Sequence, residues 1–116
     1  MKLYILLDDE SPEEVADKLV QAMTKWFVDA ELAGEIVDVR EGDVEDWTVG
    51  LNLEIGRKAG LRKPLEFLYK QAKKMEREFV IGLYGKTGNR EDICYFGFEE
   101  GRPDVDEVAL YLGLNR

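Results

Sequence analysis

A chain of 116 residues fits one domain, residues 1–116, and its 45% hydrophobic fraction is enough for a core. Sixteen Lys and Arg stand against 25 Asp and Glu, a net charge of −9, with no histidine and a single cysteine. That balance argues against a globally basic nucleic-acid surface, and the composition excludes a histidine-based triad, a His-ligated zinc site and a disulfide framework within the chain.

Residues 2–8 form a short apolar run ending in acid, which suits a central strand. The run is too short for a signal-peptide core or a membrane span, and no later segment is long and apolar enough to cross a bilayer. We therefore expect a cytoplasmic protein with no membrane partner. Ser11-Pro12-Glu13-Glu14 follows, with serine as cap, proline in the first turn and Glu14 completing a capping box. Val15, Leu19, Ala22, Met23, Trp26 and Ala30 then recur at three- and four-residue steps, one apolar face of a helix that Gly34 would stop.

Residues 35–40 alternate, a polar acidic link spans 41–46, and Trp47, Val49, Leu51, Leu53 and Ile55 fall at every second position. Two strands across a short link predict a hairpin. A basic connection at 56–63 leads to Pro64, which opens a second helix carrying Leu65, Leu68, Tyr69, Ala72 and Met75 on one face. Residues 79–84 and 91–98 read as strands around the turn cluster Gly85-Lys86-Thr87-Gly88-Asn89. A break at 101–104 precedes a short helix marked by Val105, Val108, Ala109 and Leu112.

The order is βαββαββα, and its first six elements match the ferredoxin-like βαββαβ unit. We expect an α+β fold: a ferredoxin-like core extended by a fifth strand and a C-terminal helix, with a mainly antiparallel sheet and the helices on one face. An α/β roll with another strand order is the competitor. The last strand is apolar on both faces (Ile93, Cys94, Tyr95, Phe96, Phe98). The C-terminal helix is expected to cover one face in preference to a second chain, which favours a monomer over a homodimer. Cys94 is read as a small buried side chain.

Charge is unevenly spread. Residues 57–77 hold eight basic residues and two acids, net +6, so the rest holds eight and 23, net −15. Its acids cluster around the first strand-to-helix turn (Asp8, Asp9, Glu10, Glu13, Glu14, Asp17), in the first hairpin link (Glu41, Asp43, Glu45, Asp46), and between the last strand and helix (Glu99, Glu100, Asp104, Asp106, Glu107). The expected topology brings these clusters to one end of the sheet and leaves the basic loop 57–63 with Lys86 and Arg90 at the other. The cap accounts for Glu13 and Glu14. The link acids have no such structural role.

Three short motifs suggest chemistry. The opening ILLDDE resembles that of a response-regulator receiver domain, where paired acids after the first strand hold magnesium, and Lys63-Pro64 echoes the same family. No phosphoacceptor Asp ends the strand at 47–55, too little chain separates the acids from Lys63, and the element order differs, so no receiver is assigned. A divalent-metal site at Asp8 and Asp9 is a weaker reading than a solvated turn. Gly85-Lys86-Thr87 looks like the end of a phosphate-binding loop, but Val80 stands where a glycine is required and the segment joins two strands. Lys70, Lys73, Lys74 and Arg77 read as the wet face of a helix, supported by the Glu66–Lys70 spacing.

The functional expectation is a non-catalytic acidic binding or inhibitor protein, most concretely an immunity-type protein that neutralises a basic partner such as a toxin nuclease. The partner-binding candidates are Glu41, Asp43, Glu45 and Asp46 with Trp47 as aromatic anchor, Asp8, Asp9 and Glu10, and Glu99 and Glu100. No catalytic residue, metal ligand, cofactor or direct nucleic-acid contact is expected. The alternatives are a small regulatory or ligand-binding domain and a carboxylate- or metal-dependent enzyme.

Overall fold

Alternation along the strands builds the sheet and gives it two unlike faces. A computed structural model describes residues 1–114. The elements are β1 (Lys2–Asp8), α1 (Ala16–Ala30), β2 (Gly34–Val39), β3 (Thr48–Glu54), α2 (Arg62–Met75), β4 (Glu78–Tyr84), β5 (Arg90–Gly97) and α3 (Val105–Leu112). Short 3-10 turns lie at Pro12–Glu14, Val44–Asp46 and Lys58–Leu61. The strands form one sheet in the order β2-β3-β1-β4-β5, and every neighbouring pair is antiparallel. The fold is α+β.

On one face Leu3 and Ile5 of β1, Leu51 and Leu53 of β3 and Phe79 and Ile81 of β4 are buried under Leu19 and Met23 of α1 and Leu65, Leu68 and Ala72 of α2. Val108, Ala109 and Leu112 of α3 join the same core. Burying each of the Leu, Ile, Val, Phe and Met side chains contributes roughly 1.5–3 kcal/mol. Phe79 stacks on Phe96 at 5.5 Å, tying β5 to β4, and Trp26 stacks on Phe67 at 4.6 Å, closing the seam between α1 and α2. The other face carries a smaller cluster, Tyr4, Leu6 and Val80, with Val37 and Tyr84 packed against it and no helix above.

The local structure departs from the sequence pattern at five points. Ser11 makes no side-chain cap, and the residues after it form a 3-10 turn, so α1 starts only at Ala16. The capping box does not form, because Arg77 takes the Glu14 carboxylate at 2.8 Å. At the other end α1 is closed by Glu31 in the left-handed region (φ 52°), while Gly34 opens β2. Pro64 is the third residue of α2, whose first turn continues from the 3-10 turn before it. Finally, the doubly apolar look of β5 comes from an irregularity. Cys94 pairs with Ile81 and Asp92 with the adjacent Gly82, so Ile93 is extra. Ile93 and Cys94 both pack against the helix-covered core, Asp92 faces the open side, and Tyr95 remains exposed there.

Candidate functional site

The carboxyl ends of β1 and β2 lie at the same end of the sheet, because each is antiparallel to β3 between them. β5 also runs parallel to β1 and ends there, being antiparallel to β4. Acids from four stretches of sequence, 8–14, 45, 76–78 and 99, therefore meet. A hollow of 820 Å³ is lined by Asp8, Asp9, Glu10, Glu14, Glu45, Glu76, Glu78 and Glu99, with Ser11 and one cation, Arg77. A second hollow of 610 Å³ adjoins it on the open sheet face and shares Asp8 and Glu45. Its floor includes Leu6 and Val80, and Asp46, Trp47, Thr48, Asn89, Arg90 and Asp92 complete it.

Arg77 organises the first hollow. It follows Glu76, whose left-handed conformation (φ 58°) ends α2 and turns the chain into β4. The Arg77 guanidinium donates to the carbonyls of Met75 and Glu76, pairs with Glu14, and lies 2.7 Å from the Asp9 carboxylate. That last approach is close as a charge contact but off-line as a hydrogen bond. Glu78 fixes the neighbouring turn: its two carboxylate oxygens accept the backbone N–H groups of Glu99 and Glu100, at 2.8 and 3.0 Å. Gly97 and Gly101 close the same turn through paired backbone hydrogen bonds.

Beside the second hollow, the buried Tyr4 hydroxyl donates at 2.6 Å to Asp92, which lines it, and the Tyr4 ring lies edge-on to Tyr84 at 5.3 Å. Tyr84 in turn donates to Asn52, and Asn52 donates to Glu35. Gly82 is required beneath this network, since a Cβ there would collide with the Tyr4 ring and the Glu91 carbonyl. Burial, then the hydrogen bond to Asp92 and that carboxylate's charge, push the Tyr4 hydroxyl far above its ordinary range. Partial burial, then the charges of Asp92, Asp9 and Glu78, raise the Asp8 carboxyl above its usual value. Asp8 is thus crowded by like charge, whereas Asp9 has Arg77.

The ten sequence-derived candidates divide. Asp8, Asp9, Glu10, Glu45 and Glu99 line the first hollow, and Asp46 and Trp47 join Asp8 and Glu45 in the second. Trp47 packs against the core and sits beneath the Arg40 guanidinium, 5.3 Å from its ring, so only part of it faces the hollow. Arg40 is held there by Asp38 and Asp17. Glu41, Asp43 and Glu100 line neither hollow. Asp43 accepts the Asp46 N–H through its carbonyl to form the link's 3-10 turn.

The third acidic cluster does not stay together. Asp104 caps α3 by accepting from the N–H groups of Asp106 and Glu107, and Asp106 pairs with Lys58 at 2.8 Å. Arg77 also departs from the expectation of a wet helix face, because it lies beyond α2 and inside the acids. Among the described residues, Glu66 and Lys70 form no ion pair.

Sequence reasoning missed Glu76, Glu78, Asp92 and the Tyr4–Tyr84–Asn52 network. The available signal was an acid, Asp92, standing opposite Gly82 in an apolar hairpin. Among the described residues, no three His, Cys, Asp or Glu side chains are placed to hold a metal, no charged residue is buried, and no helix is long and apolar enough to cross a membrane. Comparison with protein-family models, with curated proteins and with solved structures finds no match.

Proposed function

We propose that this chain is a non-catalytic acidic binding protein, cytoplasmic and monomeric, that receives a basic protein partner on the open sheet face and the acidic end beside it. The concrete version is an immunity-type protein that blocks the basic cleft of a toxin such as a nuclease. The observation that carries the reading is the sharing of Asp8 and Glu45 by two hollows whose acids come from distant parts of the chain. Concentrated negative charge steers a basic surface into place, and the apolar floor of Leu6 and Val80 gives the docked partner something to desolvate.

The scaffold reading is an extended ferredoxin-like domain. The order β2-β3-β1-β4 with both long helices on one face supports it, and β5 is then the extension. Such a sheet holds its open face rigid while the loops at one end carry the charge.

Affinity capture from lysate of the source cell tests the reading, with wild type beside a variant carrying Asp43→Lys, Glu45→Lys and Asp46→Lys. We expect one basic protein held by the wild type, released by high salt and weakened at least about tenfold in the variant. Equal retention by both chains, or no basic protein at all, contradicts it.

A further inference from the structure

The outer side of the helix pair presents a second surface, of opposite charge. α1 and α2 run antiparallel: Trp26 near the end of α1 stacks on Phe67 near the start of α2, while Lys18 and Lys74, at the other ends, share a groove. That groove measures 550 Å³. Val15, Ala22 and Met75 supply apolar lining, and Lys18, Lys25 and Lys74 stand exposed around it.

The lysines are the unexpected part. The chain carries nine more acids than bases, yet among the described residues none of these three lysines has a carboxylate within ion-pair distance. Two of the nearest acids in the chain are engaged elsewhere: Asp17 by Arg40, and Glu14 by Arg77. The result is a patch of unpaired positive charge around a partly apolar seam, on a molecule of net charge −9. We propose that this seam docks an acidic amphipathic polypeptide segment, a helix whose apolar stripe lies on Val15, Ala22 and Met75 and whose carboxylates meet Lys18, Lys25 and Lys74.

The geometry of the groove selects a polypeptide. A pair of antiparallel helices leaves a furrow into which the side-chain ridge of a third helix packs. A nucleic-acid backbone would set phosphates against the apolar lining, where a striped helix sets apolar side chains. A second copy of this chain would bring that same net −9 with it. The seam lies on the helical side of the sheet, away from the open face, so one molecule has room for a basic partner on one side and an acidic segment on the other.

The probe is a fluorescein-labelled helical peptide with leucines at three- and four-residue steps and glutamates elsewhere. Its control is a scrambled peptide of the same composition, and both are followed by fluorescence anisotropy against the full chain. The striped peptide should bind, bind more weakly as salt rises, and lose at least about tenfold in affinity to a Lys18→Glu, Lys25→Glu, Lys74→Glu variant. That variant, with its exposed substitutions, should keep the wild-type circular dichroism and melting curve. An Ala22→Glu variant places bulk and charge in the groove itself and should weaken the striped peptide similarly.

Four results would overturn the proposal: no binding, equal binding of the scrambled peptide, insensitivity to the lysine reversals, or lysine-dependent binding only of single-stranded RNA or phosphatidylserine vesicles. Capture of the basic partner on the open face is unaffected by these outcomes, so the two readings fail separately.

Discussion

The two faces of one sheet are built from the same strands and do different work. Under the helices, Leu3, Ile5, Leu51, Leu53 and Ile81 are excluded from solvent by three helices' worth of apolar side chains. On the open face, Tyr4, Leu6 and Val80 are equally hidden, but by each other and by a few neighbours, with hydroxyls and carboxylates replacing the helices. The first face holds the fold by burial. The second keeps its residues in place by hydrogen bonds and close backbone approach, and so leaves a shaped, charged surface free.

The sharpest break between the faces comes from truncating one side chain on each. Leu51→Ala empties a site beneath α1 and should cost about 3 kcal/mol in chemical denaturation. Tyr4→Phe keeps the ring over Gly82 and removes only the donor to Asp92, so about 1 kcal/mol is expected by the same measurement. A loss from Tyr4→Phe as large as that from Leu51→Ala would mean that the open face also holds the fold.

Arg77→Ala falls between them. It strips the acidic hollow of its one cation and two backbone carbonyls of their donor, and should cost about 2 kcal/mol in chemical denaturation.

The smallest effect has a distinctive sign. Asp8 has its carboxyl pushed above the unfolded value of 3.8, so the folded state binds the proton more tightly. Stability contributed by that proton is present at low pH and fades as pH rises through the folded-state value. Asp8→Asn should therefore stabilise the protein at neutral pH and give no gain well below pH 3.8. Melting curves at the two pH values check it, and a neutral-pH loss would show that Asp8 is favourably paired. On the helix side, burial and then Glu107 raise the Cys94 thiol. Iodoacetamide should alkylate it more slowly than free cysteine at mildly alkaline pH, faster only on unfolding.

How much of this was legible varies with the range of the interaction. The period-two run Val49, Leu51, Leu53 announced β3, and the acidic stretches announced a charged end, because both signals are local. Arg77 could not be placed from sequence, since it pairs with Glu14 across 63 positions and looks like one more lysine-rich helix residue. Asp106 stands close to Glu99 in the chain, but the fold carries α3 to Lys58 and separates the two. Ile93 shifts the β5 register by one residue, so simple alternation misassigned its faces. Tyr4 carries no signal of its own within the apolar run 2–8, because the glycine that admits its ring lies on another strand.

Hydrogen–deuterium exchange of the chain, alone and with the basic protein it captures, tests the central claim most directly. Protection is expected at residues 6–10, 44–48, 90–95 and 97–100, the segments around the two acidic hollows, with α1 and α2 unchanged. Protection confined to the outer surface of α1 and α2, with those four segments exchanging as in the free chain, would contradict it.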